Sequence, residues 1–201
     1  MSLVIYKDGI LAADSGSWWG NMLHSKGAIK LGRKVVKILK GTEQPTEEVI
    51  LYGAAGDDPA FTLFFKQIEA RNSFEDIRTG LEYDERFTRF KDFTGIIVRQ
   101  TEPHLPYLFS DGVVLREDPA EHYAIGAASE FALGALAADA DVTEAVFLAC
   151  LNTTVAHAPV RWVSFEEDGI QVRSQIFFKD VKLEPRGECT VADYHKGRAG
   201  A

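Results

Sequence analysis

Strand-like and helix-like segments follow one another in blocks along this chain, and this order constrains the fold more than any other feature. Short strand patterns fill residues 3 to 52, and apolar residues then recur at the spacing of a helix from Phe61 to Ile68. A second, partly exposed helix is predicted between residues 72 and 92, strands from 94 to 125, helices from 129 to 155, and a last hairpin over 160–178. Because strands and helices do not alternate, the sequence predicts an α+β fold with helices on the faces of sheets.

Local signals set the bounds of several elements. Asp8-Gly9 is a strong hairpin signal and is predicted to join the first two strands. Asp58-Pro59 is predicted to cap and open the first helix, and Asp141 with Glu144 forms the pattern of a capping box. The predicted strands are Leu3–Lys7, Ile10–Asp14, Ala28–Leu31, Val35–Leu39, Val49–Tyr52, Thr94–Arg99, Tyr107–Phe109, Val113–Arg116, Tyr123–Ile125, Val160–Phe165 and Ile170–Phe178, and the last two helices are Ser129–Ala138 and Val142–Val155.

Charge and cysteine content narrow the expected partners. The chain has 201 residues and a net charge of -8, so it lacks the basic excess that binding to nucleic acid or to an anionic membrane requires. Cys150 and Cys189 are the only cysteines, too few for a disulfide framework, and a reducing, cytoplasmic location is expected. The five histidines have no metal-ligand spacing, so no metal site is predicted.

The second residue carries a specific chemical possibility. If Met1 is removed, Ser2 becomes the N-terminus and holds a hydroxyl and a free α-amino group on one residue. An α-amino group has a pKa of about 7.7–8.0, so it can accept the hydroxyl proton near neutral pH without special tuning. Chains that start with Met-Ser are common, however, and further residues are needed to support a nucleophile.

A resemblance to a known family supplies further residues that support a nucleophile at Ser2. The stretch "DGILAADSGSWWGNMLHSKGAIKL" resembles the start of proteasome β-subunits and of the bacterial HslV-type peptidase, which are N-terminal-nucleophile hydrolases. Asp14 and Lys30 are separated by the 16 residues typical of that family, and Gly20-Asn21 matches the Gly-Asn of the HslV type. Further on, "GAAGDDPAFTLFF", "AIGAASEFALGAL", "DVTEAVFLACLN" and "PVRWVSFEEDG" are similar to later family segments in the same order. The resemblance covers about residues 1–178, taken as one domain, and the polar segment 179–201 is predicted to be a loosely held tail.

The resemblance implies a fold and an active site. It implies a four-layer αββα sandwich in which Ser2 is the nucleophile and the Gly56 N–H stabilises an oxyanion. Lys30 would favour the deprotonated hydroxyl and keep the amine neutral, and Asp14 would orient Lys30. The implied substrate is a peptide or unfolded polypeptide, with no cofactor. Assembly of identical chains into a ring, and an ATPase as unfolding partner, are implied in the same way.

The chain also departs from the family pattern. Serine replaces the usual threonine nucleophile, and Ala127 stands where the family has a serine beside the amine. The stretch "NTTVAHAPV" lacks the family's Asp, and Thr153, Thr154 and His157 are the substitutes available there. Asp57 adds a negative charge where the family often has a second glycine.

These departures leave other functions open. One alternative is a catalytically silent, proteasome-like subunit with a structural role, and another is a small-molecule amidase that uses the same nucleophile. A non-catalytic binding module is a third. The Trp18-Trp19 pair beside the proposed site fits a substrate pocket or a subunit contact, and ordinary packing fits it equally well.

Overall fold

The computed structural model describes residues 2–19, 22–25, 27–38, 46–90, 92–110, 112–116 and 122–173. The predicted block order of strands and helices is confirmed, and a 3₁₀-helix covers Glu85–Arg89. The strands are β1 Leu3–Lys7, β2 Ile10–Ala13, β3 Ser17–Trp19, β4 Met22–Ser25, β5 Leu31–Ile38, β6 Thr46–Gly56, β7 Phe93–Arg99, β8 Glu102–Ser110, β9 Val113–Arg116, β10 His122–Gly126, β11 Val160–Ser164 and β12 Gln171–Arg173. The helices are α1 Asp58–Glu69, α2 Phe74–Glu82, α3 Ser129–Ala137 and α4 Val142–Asn152.

The strands form two antiparallel five-stranded sheets and one separate pair. The first sheet has the order β10-β1-β2-β11-β12, and the second is a meander of β5, β6, β7, β8 and β9. Strands β3 and β4 pair only with each other within the described residues. The first sheet therefore combines the two ends of the described chain, and β2 is its central strand, with β1 on one side and β11 on the other.

Strand β1 is apolar on both faces because both faces of its sheet are covered. Leu3 and Ile5 pack with residues of α3 and α4 such as Ala132 and Val146. Val4 and Tyr6 point the other way and pack with Leu51 and other residues of the second sheet. This alternation is the period of two that a strand imposes on its side chains, and a strand buried on both faces reads as an uninterrupted apolar run.

Helices α1 and α2 cover the outer face of the second sheet with aromatic side chains. The ring of Phe64 in α1 lies 5.6 Å from that of Phe93 and 6.0 Å from that of Phe109. Phe87 packs edge-to-face on Phe109 at 4.6 Å. Buried aromatic pairs contribute beyond their buried area, so this cluster fixes the first helix, whose N-terminus reaches the candidate site described below.

Several predicted elements have the expected positions. The turn at Asp8-Gly9 has positive φ at both residues, 50° and 80°, as a type I′ hairpin requires. The capping box of Asp141 and Glu144 is present, although α4 ends at Asn152 and not at Val155. No helix in the described ranges is long and apolar enough to cross a membrane.

Other expectations were wrong. The segments Ala28–Leu31 and Val35–Leu39 are not two strands, because β5 runs as one strand from Leu31 to Ile38. Asp57 holds the N-cap position of α1, without a side-chain capping hydrogen bond, and Asp58 already lies inside the helix. The β3–β4 pair was not predicted. The tail 179–201 and the end of the last predicted strand, 174–178, lie outside the described residues.

Candidate active site

The first hairpin brings Ser2 and Asp14 to the same end of the sheet. Val4 lies opposite Ala13, so the residue before β1 and the residue after β2 are neighbours. The Leu3 N–H donates to Asp14 Oδ1 at 2.9 Å, and the Asp14 N–H donates to the Leu3 carbonyl at 3.2 Å. The ladder thus continues one step beyond the strands and places a carboxylate beside the proposed nucleophile.

Lys30 joins this pair from the start of the second sheet. Its carbonyl accepts from the Ala54 N–H at 3.0 Å, which fixes its backbone against β6. Its Nζ lies 2.6 Å from Asp14 Oδ1, and both side chains are almost fully buried. The predicted pairing of Asp14 with Lys30 is therefore present in the structure.

The Asp14 carboxylate is fully engaged by hydrogen-bond donors. Oδ1 accepts from the Leu3 N–H and from Lys30 Nζ. Oδ2 accepts from the N–H groups of Gly16 at 2.9 Å and His157 at 3.0 Å. Four donors hold the carboxylate in one orientation, so it can in turn hold the lysine in place.

Burial and the charge of Asp14 shift the pKa of Lys30 in opposite directions. Removal of its ammonium from water lowers the pKa of Lys30, and the charge and hydrogen bond of Asp14 partly oppose that shift. Asp14 therefore holds the Lys30 side chain in the cavity that Ser2 also lines.

Gly56 contacts the Ser2 hydroxyl through its backbone. The Gly56 N–H donates to Ser2 Oγ at 3.2 Å. Its φ is +118°, and a Cβ built there would lie 1.8 Å from the carbonyl oxygen of Asp92. Gly126 approaches Ser2 from β10 in a similar way, since a Cβ there would lie 2.1 Å from the Ser2 carbonyl oxygen. Both positions require glycine because the backbones approach too closely for a side chain.

Ser2, Lys30 and Gly56 line one small cavity. It has a volume of about 40 Å³, enough for a water molecule but not for a substrate side chain. Ser2 is only 4% exposed. The residues that line the cavity are Ser2, Gly16, Ser17, Ala28, Lys30, Ala54, Gly56, Asp58 and Phe61.

The stretch "NTTVAHAPV" contributes to the site through its backbone. Of the three substitutes for the missing Asp, His157 reaches Asp14, and it does so with its N–H group. The Thr153 hydroxyl instead donates to the Ala149 carbonyl at 2.8 Å at the end of α4, and Thr154 is exposed. The position of His157 follows from a contact between residues 143 positions apart, and no local pattern indicates it.

Arg161 is a second residue that the sequence did not indicate. Its Nη1 donates to Ser15 Oγ at 2.5 Å and to the Ala28 carbonyl at 2.7 Å. The Ser15 hydroxyl donates to the Pro159 carbonyl at 2.6 Å. Arg161 therefore ties the turn after Asp14 to the segment that leads into Lys30.

Two other expectations concerned side chains near the nucleophile. Asp57 was expected to add negative charge to the site, but the carboxylate that lines the cavity is that of Asp58. The side chains of Trp18 and Trp19 lie outside the described part of the chain, so their pocket-lining role stays a prediction. Within the described ranges, no group of three or more His, Cys, Asp or Glu could hold a metal ion.

Comparison with solved structures shows a fold of the HslV-like class. One similar structure is described as eukaryotic HslV from Trypanosoma brucei, with 16% sequence identity and a TM-score of 0.52. The match covers 81% of this chain and 98% of that chain. No protein-family model matches the chain, and no curated protein matches its sequence. At this level of identity the likeness shows the fold alone, because one fold can carry different activities.

Proposed function

We propose that this chain is an N-terminal-nucleophile hydrolase that cleaves peptide bonds, with Ser2 as the nucleophile after removal of Met1. The observation that carries the proposal is the convergence of Ser2, the Gly56 N–H and Lys30, which Asp14 holds by an ion pair, on one cavity. A nucleophile, an oxyanion donor and a buried cation held by a carboxylate are the parts that acyl transfer needs.

Acylation would proceed in two steps. The Ser2 hydroxyl attacks the carbonyl carbon of the substrate, a C–O bond forms, and the hydroxyl proton passes to the free α-amine of Ser2. The Gly56 N–H, now directed at Ser2 Oγ, stabilises the negative charge on the former carbonyl oxygen. When the C–N bond breaks, the α-ammonium returns its proton to the departing amine, and an ester with Ser2 remains.

Deacylation would repeat the same steps with water. The α-amine accepts a proton from water as the oxygen attacks the ester carbon, and the C–O bond to Ser2 then breaks. The proton returns to Ser2 Oγ and the acid product leaves. Lys30 favours each state in which negative charge develops near Ser2, and Asp14 acts as a positioning residue because it holds Lys30.

The proposal also covers the layer architecture, the assembly and the location of the protein. We extend it to a four-layer αββα sandwich, which is supported by helix pairs packed on one face of each five-stranded sheet and by the apolar contacts between the sheets. A ring of identical chains, an ATPase partner and a cytoplasmic location remain expectations of the resemblance and of the cysteine content.

A catalytically silent subunit is the second candidate. The burial of Ser2 and the small volume of the cavity favour it, because a substrate carbonyl must reach Oγ. A chain that keeps Met1 has an amide nitrogen at Ser2 and no base there. The proposal therefore requires that removal of Met1 frees the amine and opens the approach to Oγ.

Turnover by variants separates these functions. We expect hydrolysis of fluorogenic peptide amides by the wild type, loss of activity in Ser2→Ala, and retained activity in Ser2→Thr. Lys30→Met should abolish activity, whereas Lys34→Met should not, because the Lys34 ammonium binds the Ile68 and Glu69 carbonyls at the end of α1. Activity on acyl-amino acids alone would favour the amidase, and full activity of Ser2→Ala would refute the proposed nucleophile.

A further inference from the structure

A second cavity, here called the distal cavity, lies toward the end of β1 that is away from Ser2. It has a volume of about 500 Å³, which is enough for a small organic molecule. Tyr6 lines it and lies four residues along the chain from Ser2, which corresponds to about 13 Å of strand. The distal cavity and the cavity beside Ser2 share no lining residue. The proposed hydrolysis therefore leaves the distal cavity without a role.

Two aromatic side chains lie beside the turn that joins β1 to β2. The Tyr6 hydroxyl accepts a hydrogen bond from the Gly9 N–H at 3.2 Å. A Cβ built at Gly9 would lie 3.3 Å from the Phe165 ring, so this ring packs on the same turn. Tyr6 and Phe165 both line the distal cavity, and Trp162 of β11 adds a third aromatic side chain. The faces of aromatic rings attract cations, and groups of such rings bind quaternary ammonium ions.

The distal cavity carries negative charge. Its described lining contains three carboxylates and neither a lysine nor an arginine; the carboxylates are those of Asp8, Glu166 and Glu167. All three are exposed, and the structure gives them no ion pair within the described residues. The Arg33 guanidinium donates to the Phe165 carbonyl at 3.2 Å, but its charge is paired with Asp168. The negative potential of the three carboxylates therefore favours a cationic ligand.

The Tyr6 hydroxyl has a proton that no group accepts. Tyr6 is 2% exposed, and burial raises the pKa of Tyr6 to about 12, so the hydroxyl keeps its proton near neutral pH. It accepts from the Gly9 N–H, but no acceptor for its own proton is present in the described part of the chain. Buried tyrosine hydroxyls usually find a hydrogen-bond partner. An oxygen atom of a bound molecule would supply that acceptor.

We propose that the distal cavity binds a small alkylammonium compound that carries an oxygen atom a few bonds from its nitrogen. The cation packs against the Phe165 ring in the negative potential of the three carboxylates, and the oxygen accepts from the Tyr6 hydroxyl. A metal ion is a poorer occupant, because no group of three His, Cys, Asp or Glu within the described ranges could hold one. The site shares no residue with the proposed hydrolysis, so either proposal can fail without the other.

Choline and its uncharged carbon analogue, neohexyl alcohol, provide the test because the two compounds have nearly the same shape and differ in charge. Titrations of the full chain followed by saturation-transfer difference NMR measure the Kd of each compound. At low ionic strength we expect choline to bind about five- to tenfold more tightly than the alcohol. This preference should weaken as salt is added, because the three carboxylates are exposed and are screened. Equal Kd values for the two compounds, or no binding of choline, would overturn the proposal.

Three variants locate the binding. Asp8→Asn should weaken choline binding about two- to fourfold, and asparagine tolerates the positive φ of 50° at this position. The matched control Asp139→Asn should leave choline binding unchanged, because Asp139 is also exposed and has a positive φ of 69° but does not line the distal cavity. Phe165→Leu should weaken binding of choline about threefold and leave that of neohexyl alcohol unchanged, since leucine keeps an apolar side chain without the ring. An equal loss in both aspartate variants, or an unchanged preference for choline in both Asp8→Asn and Phe165→Leu, would overturn the proposal.

Discussion

The Asp14 carboxylate is buried and accepts four hydrogen bonds, so its replacement should cost more stability than any other single charge removal at the site. In Asp14→Asn the ion pair with Lys30 is lost, and the new amide NH₂ faces donors in place of one carboxylate oxygen. Loss of one partner of a buried ion pair costs about 3–5 kcal/mol. The free energy of unfolding of a whole domain is about 5–15 kcal/mol, so the variant should unfold at a much lower urea concentration.

The pH dependence of this loss has a definite sign. Asp14 opposes the effect of burial on Lys30, so its removal lowers the pKa of Lys30 further in the folded state. In the pH range where Lys30 loses its proton, the folded variant then binds fewer protons than the folded wild type. The unfolded chains are alike at this lysine. The stability of the variant relative to wild type should therefore rise as pH rises.

Urea titrations followed by circular dichroism at several pH values measure both effects. The matched control is Asp168→Asn, which removes a carboxylate that is paired with Arg33 but is 92% exposed. Little change in the free energy of unfolding is expected in this control, since exposed ion pairs contribute little to stability. A loss below about 1 kcal/mol in Asp14→Asn, or a loss equal to that of the control, would refute the buried-pair reasoning.

Three further predictions address other parts of the structure. Gly56→Ala should destabilise the fold by about 2–5 kcal/mol, because the backbone has positive φ and the new Cβ would lie 1.8 Å from the Asp92 carbonyl oxygen; thermal unfolding measures this. Asp141→Ala should cost about 1 kcal/mol through loss of the capping box, as measured by urea unfolding. Burial raises the pKa of the Cys150 thiol to about 12, so in a Cys189→Ser variant its alkylation at pH 8 should be about a thousandfold slower than for an ordinary thiol, and the rate should keep rising well above pH 9.

Matched measurements make these predictions refutable. Gly169→Ala changes another glycine with positive φ but meets no atom within 4 Å, so it should cost only about 1–2 kcal/mol, and an equal cost at Gly56 would contradict the steric argument. Asp141→Asn keeps a capping side chain and should be nearly neutral, so a loss as large as that of alanine would exclude the cap as its cause. The Cys150 thiol should regain an ordinary pH profile in urea, and rapid alkylation in the folded state would show that its partial burial does not raise the pKa of the thiol.

Features encoded within a few residues could be predicted from the sequence. The Asp8-Gly9 turn requires two residues that tolerate positive φ, and the capping box of Asp141 needs only a partner three positions along the chain. The pairing of Asp14 with Lys30 was predicted from the family resemblance, since no local rule connects two residues in different strands. The structure places the two groups in contact.

Features that depend on contacts between distant segments were not predicted. Gly32 lies between the predicted strands Ala28–Leu31 and Val35–Leu39, but it pairs with Tyr52 within the ladder of β5 and β6. A Cβ at Gly32 would lie 2.4 Å from the Tyr52 side chain, so packing and not a turn requires glycine there. The contributions of His157 and Arg161 likewise follow from the first sheet, in which β11 pairs with β2. Sequence periodicity does not report which strands become neighbours.

The central claim is that Ser2 becomes a nucleophile with its own free amine, and intact mass spectrometry of the purified protein tests it most directly. A peptide epoxyketone reacts fully only where a hydroxyl adds to the ketone and an amine on the same residue opens the epoxide. The account predicts a mass without Met1 and a single adduct, which peptide mapping assigns to Ser2 and which is absent from Ser2→Ala. A mass that retains Met1, with no adduct after incubation, would contradict the account and identify a catalytically silent chain.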